Sequence, residues 1–458
     1  MARLGFNVVR LSVSWSLLEP APGQFSRLYL DRIAQVVGWA RQYGIYVILD
    51  MHQDGYSRFL PRPAAPALPG GTLPALNEHD GAPTWAVDTF GLPSETFIDQ
   101  REMNPAEDAA MTAFWLNWAG LQDQYLRAVA TLARRFRDDS TVAGYDLYNE
   151  PWPGFVAPPV FDDLLLIPFY RRAIDALTGA QDGGPCPVGL PLPICGHADL
   201  GVHTHQLMFV EPDLMRVVSD FDLNLPQTLS SYPNVVYSIH TYTHKFTVDA
   251  VEGWPASVYP PGGYTTSYRS AEAAARSLGA ALFVTEYGNE PALDPTMLTT
   301  QTEKQEQYLL GSTFWPLKEN CNVGSTWGIY QGVFGTAADE RCAYDSGQER
   351  AAGAPESGCL RVDDERLLAR PWPREFAGRV TYHYDPTTGT FSLTGDAPAG
   401  SPGTVVYVPP EVQGGVTVTG AGLRVLGAPD GSRLLELSPR GAYRLQIAAA
   451  PLHLSGCA

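Results

Sequence analysis

One stretch of the chain decides the fold: residues 144–154, which read GYDLYNEPWPG. It continues the short apolar segment of residues 142–147, whose composition predicts a buried β-strand. Pro151 has no N–H to donate to a sheet, so the strand must end before it, with Asn149 and Glu150 at its carboxyl end. We also expect Pro151 to hold Glu150 in an extended conformation. Because β/α barrels place their catalytic groups at the carboxyl ends of the strands, this stretch predicts an active site.

A second stretch ends in the same way. Residues 281–288 read ALFVTEYG, a short apolar segment closed by Glu286. Either glutamate alone is typical of a solvated loop charge. Two glutamates that each close a buried strand instead predict a pair of carboxyl groups facing one cleft, which is the arrangement that glycoside hydrolysis requires.

The composition argues against some classes of partner. The 458 residues include 49 acidic and 31 basic side chains, which give a net charge of −18. This charge disfavours nucleic acid or an anionic membrane surface as a partner. The apolar segments are too short to cross a bilayer, and Met1 is not followed by a recognisable secretion signal.

Alternating strand and helix patterns predict a parallel α/β fold. Helices are expected at residues 28–43, at 111–137 with Trp115 and Trp118 on a buried face, and at 161–177. Pro168 should kink the third helix or restart it. Seven barrel strands are predicted, at residues 6–12, 45–50, 142–148, 207–211, 234–240, 281–286 and 311–315. Because a (β/α)8 TIM barrel has eight strands, we expect the first strand to precede Met1.

The sequence pattern changes near residue 370. Short apolar segments separated by Gly, Pro and Asp predict antiparallel strands, which is typical of a β-sandwich. We therefore assign residues 1–368 to a catalytic barrel and residues 369–458 to a C-terminal all-β sandwich. The predicted strands of the sandwich are residues 390–393, 404–408, 416–418, 434–437 and 443–447.

Histidines lie near the ends of the predicted strands. His52 near Asp50 and Asp54, or His240 near His244, can be interpreted as metal ligands, but neither set is complete. We expect both histidines to orient the site by hydrogen bonds, with no catalytic metal and no cofactor.

The six cysteines are compatible with two cellular environments. An even number of cysteines in loop-like segments favours disulfides in an oxidising compartment, and Cys186 with Cys195 would close a short loop. The alternative is six free thiols in a cytosolic protein. The full set is Cys186, Cys195, Cys321, Cys342, Cys359 and Cys457.

Taken together, these motifs resemble glycoside hydrolase family 5 and, within it, the endoglycoceramidases. Longer phrases carry the closer match, among them DMHQD at residues 50–54, DGAP at 80–83, TEYG at 285–288 and RPWP at 370–373. The family's first strand, its lysine at the sugar site and its secretion signal have no counterpart in this sequence. The broader family pattern is matched by Arg10, His52, Asn149, Glu150, His240, Tyr242, Glu286 and Trp315.

The resemblance implies a retaining hydrolase that cleaves the β-linkage between an oligosaccharide and ceramide. Glu150 would be the acid/base and Glu286 the nucleophile, with the two carboxyl groups roughly 5–5.5 Å apart. Asn149 would bind the sugar 2-hydroxyl, while Tyr242 and Arg10 would hold Glu286 ionised and oriented. The remaining sugar contacts implied by the resemblance are His52, Asp80, Trp115, His240 and Trp315.

Other functions remain compatible with these residues. The alternatives are a β-glycosidase that acts on a steryl glucoside or a β-glucan, and a glycolipid-binding relative without activity. The apolar residues 164–169 either line a lipid groove or form ordinary helix core. We expect a monomer with transient membrane-surface contact, and the resemblance together with the cysteines implies an extracellular location.

Overall fold

The computed structural model describes residues 1–61, 63–66, 68–73, 81–96, 104–180, 199–221, 229–247, 263–288, 296–317, 328–331 and 359–456. These residues form two compact units. One unit is Val8–Thr285, and the other combines Met1–Asn7 with Glu286–Ala458. The assignment of the sandwich to residues 369–458 stays a prediction.

Among the described residues, seven strands form one sheet in sequence order. The pairs from β1 to β5 are all parallel. Each strand lies within three residues of its predicted position, and the predicted parallel, barrel-like α/β sheet is confirmed. The strands are β1 (Val8–Val13), β2 (Tyr46–Met51), β3 (Val142–Asp146), β4 (Leu207–Val210), β5 (Val235–Thr241), β6 (Ala281–Tyr287) and β7 (Gly311–Phe314).

Helices connect the strands. The first long helix begins where Ser26 Oγ accepts a hydrogen bond from the Tyr29 N–H, as an N-cap should. Within the described part of the chain, no helix combines the length and the apolar character that a membrane span needs. The helices are α1 (Trp15–Leu18), α2 (Arg27–Gln42), α3 (Pro105–Trp115), α4 (Leu121–Phe136), α5 (Pro158–Phe161), α6 (Ile167–Thr178), α7 (Met215–Ser219), α8 (Gly263–Leu278), α9 (Met297–Tyr308) and α10 (Val362–Leu368).

The predicted helix at residues 111–137 is wrong in one respect, because the structure divides it into α3 and α4. Asn117 and Ala119 both have φ of 51°, which an α-helix does not contain. The Asn117 side chain accepts hydrogen bonds from two backbone N–H groups in the first turn of α4, so it acts as a cap. Trp118 lies in the break and is 52% exposed, although the pattern predicted it to be buried.

Pro168 lies where the helix changes type. A π-helical turn, Asp162–Leu166, runs directly into α6, and Pro168 occupies the first turn of α6, so the helix does not restart there. Leu165, Leu166 and Phe169 are buried. These three side chains therefore belong to the helix core.

Gly144 sets how closely β3 and β4 approach each other. It pairs with Leu207 across the two strands. A Cβ atom at position 144 would lie 2.8 Å from the Leu207 carbonyl carbon and closer still to its oxygen. Only glycine allows this approach, which fixes the spacing of two strand ends.

A separate antiparallel sheet occupies the C-terminal part of the chain. Its strands have the order β10-β13-β15-β12-β11, with β14 paired to β15. The predicted strands at residues 434–437 and 443–447 are one strand, because β15 pairs first with β13 and then with β12. The strands are β10 (Trp372–Glu375), β11 (Arg379–Asp385), β12 (Thr390–Ala397), β13 (Thr404–Val408), β14 (Val416–Gly427) and β15 (Arg433–Ile447), preceded by the short pair β8 (Tyr330–Gln331) and β9 (Cys359–Leu360).

Candidate active site

Arg10 on β1 is the centre of a buried ion network at the carboxyl ends of the first four strands. Its Nη2 lies 3.0 Å from Asp50 Oδ1, 2.9 Å from Asp146 Oδ2 and 3.0 Å from Glu211 Oε1. The same nitrogen donates to Asn149 Oδ1 at 2.7 Å. The Arg10 side chain is 4% exposed. A buried cation needs such acceptors, and here they come from β2, from β3 and from the segments that follow β3 and β4.

The carboxyl groups around Arg10 titrate differently. Burial raises the pKa of Asp50, but the charges of Arg10 and His52 outweigh burial, and the net shift of this pKa is downward. Burial and the neighbouring Glu211 carboxyl raise the pKa of Asp146 well above its usual range, despite Arg10. Asp146 therefore keeps a proton at pH values at which Asp50 has lost its own.

Asn149 is fully buried and held at both ends of its side chain. Its Nδ2 donates to the Gln53 carbonyl at 2.8 Å, and its Oδ1 accepts from Arg10. The Gln53 side chain in turn donates to the Asn149 carbonyl. These bonds fix the orientation of the Asn149 amide, and one hydrogen of Nδ2 is committed to Gln53.

Glu150 does not have the extended backbone that Pro151 predicted, because its φ is 40°. This left-handed conformation costs a residue other than glycine about 1–3 kcal/mol. The Glu150 N–H donates to Glu211 Oε2 at 2.9 Å, a tertiary contact that stabilises the strained turn. The local effect of proline on the preceding residue is therefore overridden by a carboxylate from the end of β4.

His240, the penultimate residue of β5, lies between two glutamates. Its Nδ1 is 2.8 Å from Glu150 Oε1, and its Nε2 is 3.1 Å from Glu211 Oε1. The imidazole is buried, and the Glu150 side chain is 9% exposed. The predicted orienting hydrogen bond of His240 is present in the structure.

Glu211 belongs to this network, although the sequence analysis assigned it no role. It contacts Arg10, the backbone of Glu150 and the ring of His240. Helix α6 fixes its backbone, since the Tyr170 hydroxyl donates to the Glu211 carbonyl at 2.8 Å and accepts from the Glu211 N–H at 3.0 Å. The sequence does contain an indication of this position, because Glu211 and Pro212 follow an apolar strand just as Glu150 and Pro151 do.

His52 and Tyr242 are two further predicted residues in the barrel unit. His52 Nδ1 lies 2.7 Å from Asp50 Oδ2 in a buried pair, so His52 is oriented by a hydrogen bond, as expected. Tyr242 is also buried, with its ring perpendicular to the His240 ring at a centroid distance of 6.5 Å. Its predicted action on Glu286 stays a prediction.

The structure corrects the sugar contact assigned to Trp115. This side chain has no exposed surface, and its Nε1–H donates to the Trp152 carbonyl at 2.7 Å. Its ring packs against Phe114, Tyr148 and Phe161 at centroid distances of 4.9 Å. Trp115 is therefore part of an aromatic core.

The remaining predicted residues lie on or after the later strands. Glu286 on β6 is 6% exposed. The hydroxyl of the preceding residue, Thr285, donates to the Ile239 carbonyl at 3.4 Å, so β6 runs beside β5 up to that point. Trp315 is partly buried, and its N–H donates to the Tyr287 carbonyl at 2.8 Å. Asp80 lies outside the described residues, as do all the cysteines except Cys359.

The barrel unit contains residue types that bind divalent cations. Glu150 and Glu211 offer carboxylates on either side of the His240 imidazole. A histidine ligand must present a free ring nitrogen to the metal, whereas both nitrogens of His240 face carboxylate oxygens. We therefore keep the prediction of a site that works through hydrogen bonds without a metal.

The fold and the site define a class: a β/α-barrel protein with buried carboxyl groups at the ends of its strands. Residues 1–155 match the family model of cellulase, glycosyl hydrolase family 5. Endoglycoceramidase I of Rhodococcus hoagii is 35% identical over 157 residues, which cover 34% of this chain and 28% of that protein. The chain thus spans less than a third of the length of this relative.

Two further proteins extend the comparison. The crystal structure of an endogalactoceramidase aligns with a TM-score of 0.74 and 27% identity, covering 98% of this chain and 88% of that one. The ergosteryl-β-glucosidase of Saccharomyces cerevisiae is 36% identical over 98 residues, which cover 21% of this chain and 11% of that protein. The predicted resemblance to endoglycoceramidase-like members of glycoside hydrolase family 5 is confirmed by these similarities.

Proposed function

We propose that this chain is a retaining glycoside hydrolase that cleaves the β-glycosidic bond between oligosaccharide and ceramide. One observation carries the proposal: Glu150 is fixed at the end of β3 by its own backbone N–H and, through its carboxyl group, by His240. A carboxyl group held in this way at a strand end is suited to proton transfer at a fixed point.

The reaction would follow two displacements. Glu150 protonates the glycosidic oxygen while the Glu286 carboxylate attacks the anomeric carbon, which releases ceramide and forms a glycosyl-enzyme ester. Glu150, now ionised, then takes a proton from water as that water attacks the same carbon and frees Glu286. Both glutamates return to their starting protonation states.

The neighbouring residues have supporting roles in this proposal. Asn149, which directly precedes Glu150, keeps the role that the family resemblance implies, a hydrogen bond to the sugar 2-hydroxyl that strengthens in the transition state. Arg10 and Tyr242 keep Glu286 ionised. Trp315 offers a flat ring on which a sugar can stack.

The names of the similar proteins support ceramide as the aglycone. The Rhodococcus hoagii relative and the aligned crystal structure are an endoglycoceramidase and an endogalactoceramidase. The ergosteryl-β-glucosidase supports a second candidate, a steryl β-glucosidase. The products distinguish the two functions, because an endoglycoceramidase releases an intact oligosaccharide and a steryl glucosidase releases single glucose.

The test is to incubate the chain with mixed glycosphingolipids and with steryl glucoside, and to identify the released sugars by mass spectrometry. We expect intact oligosaccharide and free ceramide, with the sugar initially released as the β-anomer by NMR. Glu286→Gln should reduce kcat by at least about 10⁴-fold, since covalent catalysis is lost. Glu150→Gln should reduce kcat/KM for ceramide glycosides by about 10²–10⁴-fold.

Three outcomes would contradict parts of the proposal. Release of glucose from steryl glucoside, without any release of sugar from glycosphingolipids, would show that the aglycone is a sterol and not ceramide. Initial release of the α-anomer would show that the reaction inverts the anomeric configuration, which contradicts the retaining mechanism. Full activity of Glu286→Gln would remove that residue from catalysis, and Glu436→Gln, on the separate antiparallel sheet, is the matched control that should keep full activity.

We further propose that the protein acts as an extracellular monomer that touches the membrane surface only transiently. The cysteine pattern and the family resemblance support the location, and the net charge of −18 supports weak contact with anionic lipid. Gel filtration and vesicle co-sedimentation test the oligomeric state and the membrane contact.

A further inference from the structure

Glu211 contacts the acid/base residue on two sides. Its Oε2 accepts from the Glu150 backbone N–H at 2.9 Å, and its Oε1 faces His240 Nε2 at 3.1 Å. The other ring nitrogen of His240 lies 2.8 Å from Glu150 Oε1. One carboxylate therefore constrains both the main chain and the carboxyl group of Glu150.

We propose that Glu211 is a positioning residue that holds Glu150 in the geometry and protonation state of a general acid, through its main-chain N–H and through His240. This proposal rests on the assignment of Glu150 as the acid/base.

The imidazole of His240 lies between the two carboxyl groups. Glu211 Oε1 is 3.0 Å from Arg10 Nη2 and 3.1 Å from His240 Nε2. On the other side of the ring, His240 Nδ1 is 2.8 Å from Glu150 Oε1. Because the ring contacts both carboxyl groups, a shift of Glu211 is transmitted to the carboxyl group of Glu150.

Every element around Glu211 contributes a charged or titratable group. Arg10 comes from β1 and Asp146 from β3, and His240 comes from β5. Asp50 on β2 shares the guanidinium of Arg10 with Glu211. From α6 the Tyr170 hydroxyl clamps the Glu211 backbone. Glu211 is thus held by a cation on one side, and its carboxylate is directed at Glu150 and His240.

The experiment compares two substrates that differ in their need for an acid. A 2,4-dinitrophenyl β-glycoside leaves without protonation, whereas a ceramide or methylumbelliferyl glycoside requires it. In Glu211→Gln, we expect kcat/KM to fall by about 10–100-fold for the second type and by less than about 3-fold for the first. A purely structural role would lower both values equally, and that result would overturn the proposal.

The pH profile gives a second readout. The negative charge of Glu211 disfavours a second negative charge on Glu150, so its removal lets Glu150 ionise at lower pH. In Glu211→Gln, the alkaline limb of kcat/KM should move down by about half a unit to one unit. An unchanged limb would overturn the proposal.

Two other variants keep the test decisive. Tyr170→Phe removes the hydroxyl that holds the Glu211 backbone without changing any charge. It should lower kcat/KM about 3–10-fold more for the substrate that needs an acid than for the dinitrophenyl glycoside. Equal losses on both substrates would overturn the proposal even if Glu211→Gln does not fold.

Glu107 is the matched control, because it is a buried carboxylate that accepts the Tyr56 N–H far from His240 in the sequence. Glu107→Gln should keep the leaving-group dependence of the parent.

Failure of this inference differs from failure of the proposed function. A parent chain that hydrolyses no β-glycoside overturns the proposed function and this inference with it. An active parent whose leaving-group dependence survives both Glu211→Gln and Tyr170→Phe overturns only the positioning role.

Discussion

The ends of the barrel strands and the C-terminal antiparallel sheet are both built from buried strands, but they bury different chemistry. At the barrel ends, one guanidinium is surrounded by the carboxyl groups of Asp50, Asp146 and Glu211. The interior of the antiparallel sheet is apolar, with residues such as Leu435 and Leu445 fully buried. Buried charges rarely add net stability, so packing explains the apolar interior of the antiparallel sheet but does not explain the charged network at the barrel ends.

The largest expected effect comes from removing the buried cation. Arg10→Leu should lower the free energy of unfolding by about 3–5 kcal/mol at pH 7, since several buried carboxyl groups lose their partner. Leu445→Ala should cost about 2–5 kcal/mol through the cavity that it leaves. Urea unfolding at pH 7 measures both values.

The pH dependence of these two variants sharpens the comparison. The pKa of Asp50 is lowered in the folded chain, so its contribution to stability is present above about pH 4 and is lost as the pH falls through the folded pKa. The deficit of Arg10→Leu should therefore shrink below about pH 4, whereas the deficit of Leu445→Ala should not change. Equal pH dependence in both variants would contradict the distinction between the two regions.

Trp115→Phe tests whether this ring serves the core or the substrate. The variant keeps an aromatic ring in the core but leaves the buried Trp152 carbonyl without its donor, which should cost about 1–3 kcal/mol. KM for the glycoside should stay within about twofold of the parent value, because a fully buried ring offers no surface to a sugar. A large rise in KM at unchanged stability would instead show that Trp115 contacts the sugar.

Asp146→Asn tests the protonated carboxyl group of the barrel network. The folded pKa of Asp146 is raised, so between about pH 4 and that value the folded chain holds an extra proton, and its stability falls as the pH rises. Asparagine resembles the protonated acid and removes this decline, which is at most about 1.4 kcal/mol per pH unit. Unfolding curves at pH 5 and pH 7 should differ less for the variant than for the parent; an identical difference would show that Asp146 is ionised throughout.

The smallest effect is expected from Tyr443→Phe in the antiparallel sheet. The Tyr443 hydroxyl lies 2.7 Å from Thr404 Oγ1 and donates to the Ala377 carbonyl at 3.1 Å. Its loss should cost about 1 kcal/mol and leave kcat unchanged. Thermal unfolding and a glycosidase assay on the same preparation check both statements, and a reduced kcat would show that the sheet takes part in function.

The sequence predicted the barrel strands well because their signal is local. Most of these strands are short segments rich in Val, Leu, Ile or Phe, and the structure shifts the predicted bounds by at most two residues. The positions of Asn149, Glu150 and His240 followed from the same rule, since polar residues after such strands meet at one edge of a parallel sheet.

The features that were missed depend on residues distant in sequence. The role of Glu211 follows from the register of β3 against β4, and the φ of Glu150 follows from a bond to a side chain 61 residues away. Helical periodicity placed both Trp115 and Trp118 on a buried face, but the cap formed by Asn117 exposes the second of them. Local patterns cannot encode which distant side chain supplies a hydrogen bond.

Part of the geometry of the candidate active site depends on the absence of a Cβ atom at Gly144. Strands β3 and β4 lead to Asn149-Glu150 and to Glu211, and their spacing is set where Gly144 meets the Leu207 backbone. A mutational library that avoids every residue touching substrate would still include this position. Even alanine there would push the two strands apart, so the site can be disabled from within the sheet by a single methyl group.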